Sequence, residues 1–177
     1  MAMLLGISGS LRSGSVNRKL VREAGRIYGG AFEEADIRLP LYDGDLEQSE
    51  GIPAEVQRLA DQIAAAEAVV ISTPEYNQSL SGVLKNALDW VSRVDGNPWL
   101  HKPVAITSAA AGRAGGGRGS YALRLAMLPF RPRMVTGPDM GVAGAMKEFD
   151  EDGRLTSELY LATLTELMTL LKAETQR

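Results

Sequence analysis

The run Ala68–Thr73, AVVIST, shows no apolar/polar alternation. A strand with one wet face alternates, so a run like this asks for a sheet covered on both faces. Met3–Ser8 (MLLGIS) and Pro103–Ser108 (PVAITS) read as strands of the same kind. Segments of helical spacing lie between them. Leu20, Val21, Ala24, Ile27 and Tyr28 recur at helical period across Asn17–Gly29, and Gly29-Gly30 stops that helix. Pro53 opens a helix lined by Val56, Leu59, Ile63 and Ala66. Gly82–Arg93 carries Val83, Leu84, Ala87, Leu88 and Val91 on one side, and further helices are expected around Ser120–Leu128 and over Thr156–Lys172. Ala35–Leu39 reads as a second strand, and Arg133–Thr136 with Met140–Val142 supplies the fifth. This strand–helix alternation predicts an α/β chain, a three-layer sandwich around a five-stranded parallel sheet with right-handed crossovers. No linker or repeat divides residues 1–177, which read as a single domain. Ligands of such sheets bind outside the carboxyl ends of the strands, near the point where strand order reverses.

Composition narrows the chemistry. The 177 residues carry a formal charge of −3, a single histidine and no cysteine. Disulfides, thiolate nucleophiles and cysteine-ligated metals are thereby excluded. No basic face points to nucleic acid. No apolar stretch approaches the ~20 residues of a membrane span, and the start of the chain has no signal-peptide pattern, so a cytoplasmic protein is expected. Asp43, Asp45, Glu47 and Glu50 are spaced too irregularly for a metal site and read as a solvated loop. His101 reads as a solvated loop residue, and Trp90 and Trp99 as packing or subunit-contact residues.

Three unusual loops follow the expected strands. In GISGSLRSGSVN, Gly6–Asn17, glycines let a ligand approach the backbone, and the amides of the following helix start lack partners. Ser10, Ser15 and Asn17 add neutral donors, and Arg12 adds a planar fork suited to phosphate. The stretch lacks the lysine and hydroxyl residue of a P-loop and does not match G-x-G-x-x-G, so a monophosphate is the better fit. A solvated loop with local serine turns is the alternative. In the second loop, after Thr73, Tyr76 offers an aromatic surface and Asn77 a donor with an acceptor; an ordinary turn with Tyr76 in the core is the competing reading. The third, SAAAGRAGGGRGS over Ser108–Ser120, is either a glycine bed beside a ligand or a disordered surface loop. Together the three fit a ligand with a phosphate tail and a flat heteroaromatic head.

The stretches GSLRSGSVN and PEYNQSLSGVLKNALDW resemble the NAD(P)H-dependent FMN reductases, a flavodoxin-like family that includes quinone, azo-dye and chromate reductases. The resemblance runs from Met3 to about Gly119. It implies a flavodoxin-like strand order 2-1-3-4-5, FMN as cofactor and NADPH or NADH as co-substrate. It implies Ser10, Arg12, Ser15 and Asn17 around the FMN phosphate. Pro74, Glu75, Tyr76 and Asn77 then lie along the isoalloxazine, with Ser108, Gly112 and Gly115 beside the ring. Gln78 and Ser81 stand where the family usually has glycine and proline. The chemistry implied is hydride transfer from nicotinamide to flavin and then electron transfer to a small-molecule acceptor, which needs alignment more than a proton-moving side chain. A homodimer or homotetramer is implied as well, with Trp90 as the expected contact. The competing functions are a flavodoxin-type electron carrier without its own NAD(P)H oxidation and a binding domain that has lost its cofactor.

Overall fold

The computed structural model describes residues 3–177. Strands β1 (Met3–Ser8), β2 (Ala31–Ala35), β3 (Ala68–Thr73), β4 (Pro103–Ala109) and β5 (Arg133–Met134) are parallel in the order β2-β1-β3-β4-β5. That is the flavodoxin-like order expected from the sequence. The fifth position is shared, because β6 (Met140–Val142) also pairs with β4, further along it. Helices α1 (Val16–Tyr28), α2 (Gly44–Glu50), α3 (Ala54–Ala65), α4 (Gly82–Val91), α5 (Gly117–Met127) and α6 (Glu158–Glu174) complete the element order.

The unbroken apolar runs are explained by the pleat. Successive side chains point to opposite faces, so Leu4, Val70 and Ala105 pack with α1 and α6, while Leu5, Val69, Ile71 and Ile106 pack with α3, α4 and α5. Each face is buried under its own helices.

The second strand lies at Ala31–Ala35, four residues earlier than the expected Ala35–Leu39. Its ladder to β1 runs from Met3↔Ala31 to Ile7↔Ala35 and ends there. Past that point Ile37 is still buried, which gives the segment its apolar look, but the backbone leaves the ladder and Leu39 N–H donates to Ile37 C=O at 3.0 Å. The true strand was masked by its own charges. Glu34 pairs with Arg18 and with Arg22 of α1, the latter at 2.7 Å, and Glu33 bonds Gln62 of α3. The acidic stretch Asp43–Glu50, expected as a solvated loop, contains α2, capped by Asp43, whose carboxylate accepts from Asp45 N–H at 2.9 Å. Among the described residues no helix is long and apolar enough to cross a membrane.

Helix α1 lies close over β1 because residue 6 has no side chain. A Cβ there would meet Val21 Cγ1 and stand 2.7 Å from Phe32 Cε2. Gly6→Ala therefore forces both neighbours outward. It should cost about 1–3 kcal/mol, the usual penalty for overpacking, measured as a lower urea midpoint.

Candidate functional site at the carboxyl ends of the strands

The site begins with one buried amide. Asn17, 2% exposed in the first turn of α1, donates through Nδ2 to Ala109 C=O at 2.9 Å. Its Oδ1 accepts from Ala109 N–H at 3.0 Å and from Ser72 Oγ at 2.8 Å. One carboxamide thus ties the start of α1 to the ends of β3 and β4. Ser15 is extended (φ −65°, ψ 129°) and caps α1, its hydroxyl accepting from Asn17 N–H at 3.2 Å. The remaining first-turn amides have no helical partner. The loop that carries them is anchored at Gly9, whose N–H donates to Ser72 C=O at 2.8 Å and whose C=O accepts from Ser81 Oγ at 2.6 Å. Ser81 also caps α4 through Leu84 N–H. In the place of the usual proline, Ser81 therefore cross-links two of the three loops.

The second loop is a tight turn. Tyr76 and Ser79 exchange N–H···O=C bonds of 3.0 and 3.1 Å, and Asn77 (φ 49°) and Gln78 (φ 65°) between them are both left-handed. This is the geometry of a type I′ turn, and it explains why glycine suits position 78. The turn leaves Tyr76 half exposed. Behind it, Glu75 accepts from Arg118 N–H at 3.0 Å and faces the Arg118 guanidinium at 3.6 Å. That contact joins the second loop to the start of α5.

The third loop is ordered by its neighbours. Ser108 Oγ donates to Gly115 C=O at 2.7 Å. Gly115 is left-handed (φ 59°), and a Cβ on it would sit 2.8 Å from the Gly141 backbone, so the loop presses directly on β6. Gly144 N–H donates to Gly112 C=O at 3.3 Å, and Ala145 N–H to Ala110 C=O at 3.0 Å.

These loops enclose a cleft of about 210 Å³. Ser10, Arg12, Ser15 and Asn17 from the first loop and the start of α1 line it together with Pro74, Glu75 and Tyr76 of the second loop. Ala109, Ala110 and Ala111 add small side chains to the same lining. Arg12 is exposed and takes part in no ion pair among the described residues. Its guanidinium and the positive end of α1 put positive potential on the cleft, which suits an anion. Of the other expected residues, Asn77 is at the tip of the turn. Ser108 and Gly115 stand behind the wall, bonded to each other, and Gly112 follows Ala111 on the rim. A larger cavity of about 460 Å³ lies between α4 and the segments 97–100 and 129–131, and none of its lining residues comes from a strand.

One contributor to the cleft was missed in the sequence. Met146 lines the cleft from the turn after β6, and no local signal marks it. Asn86 and Trp90 face the Pro40–Tyr42 segment. Asn86 accepts from Tyr42 N–H and donates to Pro40 C=O, both at 2.9 Å, and Trp90 Nε1 donates to the same carbonyl at 2.8 Å. Their i, i+4 spacing on α4 was the available clue. The expectation that Trp90 contacts another subunit is thereby corrected, because its side chain is wholly buried over this segment. Trp99 is buried too, at 2% exposure.

Comparison with known proteins gives a consistent answer. The family described as NADPH-dependent FMN reductase matches residues 2–147. The chain is 44% identical over 158 residues to a Pseudomonas aeruginosa protein named NAD(P)H-dependent FMN reductase, covering 88% of this chain and 85% of that one. It is 40% identical over 176 residues to a quinone reductase of Escherichia coli K12, covering 96% and 93%. Among solved structures, the Paracoccus denitrificans flavoenzyme FerB, an NAD(P)H:(acceptor) oxidoreductase, superposes with a TM-score of 0.89 at 30% identity, covering 99% of this chain and 98% of its own.

Replacing Asn17 by alanine strands Ser72 Oγ and both backbone groups of Ala109. At about 1–3 kcal/mol per buried orphan, Asn17→Ala should lower stability by about 2–4 kcal/mol in urea unfolding. Gln78→Gly should act oppositely, raising the midpoint by up to about 1 kcal/mol as the left-handed residue loses its Cβ clash.

Proposed function

Since this chain belongs to the NADPH-dependent FMN reductase family and is an NAD(P)H-dependent oxidoreductase using FMN, we propose that the strand-end cleft holds the FMN and that quinones are its electron acceptors. The observation that carries this reading is the polarity of the cleft. Arg12 and the start of α1 line it together with Tyr76, three small alanines and Met146. An anionic tail suits the cationic part of this lining and a flat head the apolar and aromatic part.

In this reading Arg12 supplies the fixed positive charge for the phosphate. Ser10, Ser15 and the free amides before Asn17 supply neutral donors around it. Asn17 acts differently, because its amide is already engaged: it holds the helix start and the β4 end at the right separation. Pro74, Glu75, Tyr76 and Asn77 edge the ring, with Glu75 kept in place by Arg118. Ser108 and Gly115 fix the bed on which Gly112 lies. Bound FMN supplies the two-electron chemistry, accepting hydride from the nicotinamide and giving electrons to the quinone. The protein supplies alignment and a dry face, so no side chain is assigned as acid or base.

The active form is a homo-oligomer of single-domain chains in the cytoplasm. Tyr121, Leu125 and Leu128 are spaced i, i+4, i+7 and are 62%, 69% and 58% exposed, an apolar stripe suited to a second copy. Chains of this kind should elute as dimers or tetramers in light scattering.

The direct test is FMN binding followed by fluorescence quenching. Wild type should take up FMN, turn yellow and reduce a benzoquinone with NADPH. Arg12→Ala should weaken FMN binding about tenfold or more, in line with a charge-assisted bond of ~1.5–3 kcal/mol, without lowering the urea midpoint. A wild-type protein that remains colourless with added FMN defeats the reading.

A further inference from the structure

The cleft must admit a second anion as well as the cofactor. NADH and NADPH each carry a diphosphate, and NADPH a further phosphate, while the chain as a whole is negative, at −3. Cations on the rim would favour the approach of those phosphates to an acidic chain. Several of the nearby cations are already committed. Arg118 faces Glu75 at 3.6 Å, Arg124 faces Asp139 at 3.3 Å, and Arg18 and Arg22 share Glu34. Arg12 lines the cleft itself.

Two cations next in sequence to lining residues of the cleft are uncommitted. Arg113 follows the lining residue Ala111 by two positions, and Lys147 follows the lining residue Met146 by one. Both are exposed, and neither joins an ion pair among the described residues. Their two segments are bonded together. Gly144 N–H donates to Gly112 C=O at 3.3 Å, Ala145 N–H to Ala110 C=O at 3.0 Å, and Lys147 N–H to Gly144 C=O at 3.0 Å. Gly115, on the far side of Arg113, is held by Ser108 at 2.7 Å. Arg113 therefore sits at the apex of a loop pinned at both feet. A phosphate that meets it does not have to order the loop first, which lowers the cost of binding.

We propose that Arg113 and Lys147 form the phosphate-binding rim for the pyridine nucleotide, Arg113 as the planar fork and Lys147 as the point charge. Neither is assigned a role with FMN. The inference rests on the cleft being the FMN site, and the experiment separates the two.

Wild type, R113A, K147A and the double variant would each be titrated with FMN and then assayed for kcat/KM with two hydride donors. One is NADPH. The other is N-benzyl-dihydronicotinamide, which has the same reacting ring and no phosphate. The ratio of the two kcat/KM values should fall about threefold to tenfold in each single variant and at least tenfold in the double one. Rising salt should erode the wild-type ratio and leave that of the double variant flat. FMN affinity should stay at the wild-type value throughout. A ratio that does not move in the double variant, or an equal loss with both donors, overturns the rim while leaving the FMN reading intact. A wild type that binds no FMN overturns both. Circular dichroism and the urea midpoint exclude misfolding as the cause, and neither side chain makes an ion pair among the described residues that its removal would break.

Discussion

The whole working edge of this protein depends on how one side chain spends its hydrogen bonds. Asn17 bonds the N–H and the C=O of Ala109 together with the hydroxyl of Ser72. A helix start, the end of β3 and the end of β4 thereby have one common point. Among the described residues no other side-chain hydrogen bond links the first turn of α1 to the β4 end. Because the group is buried, these bonds form in a low dielectric, where each is strong and each orphan is costly. The result is that the loop before α1, with its unpartnered amides, is aimed at a place also reached by the second and third loops. The second loop is fixed independently by Ser81 on Gly9 and by Glu75 on Arg118. A pocket made largely of loops is thus tied to the sheet beneath it by buried hydrogen bonds.

That sheet was largely legible in the sequence. The three central strands announce themselves because both of their faces are buried, and no alternation interrupts them. The edges were harder to read for a physical reason. β2 is an edge strand, so its outward positions carry Glu33 and Glu34, which pair with neighbouring helices. The apolar segment after it is buried without being in the ladder. The other edge is divided because β5 pairs near the start of β4 and β6 near its end, with the chain leaving the sheet in between. Edge strands are set by tertiary pairing more than by their own composition.

The candidate site was legible to a different degree. Residues next to a strand end on the same loop were recognised, because motif and location coincide there. Ser108 and Gly115 belong to that set, but their hydrogen bond makes them supports of the loop. Met146 could not be found, since only the course of the chain through β6 brings it back to the cleft. Asn86 and Trp90 sit inside a recognised motif, yet their partner is the backbone of Pro40–Tyr42, more than forty residues away. A large aromatic residue off the inner stripe of a helix reads either as packing or as a contact with another chain. In fact a returning loop of the same chain covers it.

The distribution of charge connects these parts. Exposed ion pairs contribute little stability one by one, so Arg118–Glu75 and Arg124–Asp139 matter less as struts than as a way of removing charge from the field at the edge. Paired groups present almost no net potential to an approaching ligand. Unpaired ones present all of theirs, and in a concave site bordered by protein the field is focused. A chain that is acidic overall can therefore attract anions to one place by pairing most of its surface cations and leaving a few unpaired beside the cleft. Helix α1 adds its own positive end at that spot. The attraction this edge exerts on an anion follows from which arginines are silenced as much as from which are present.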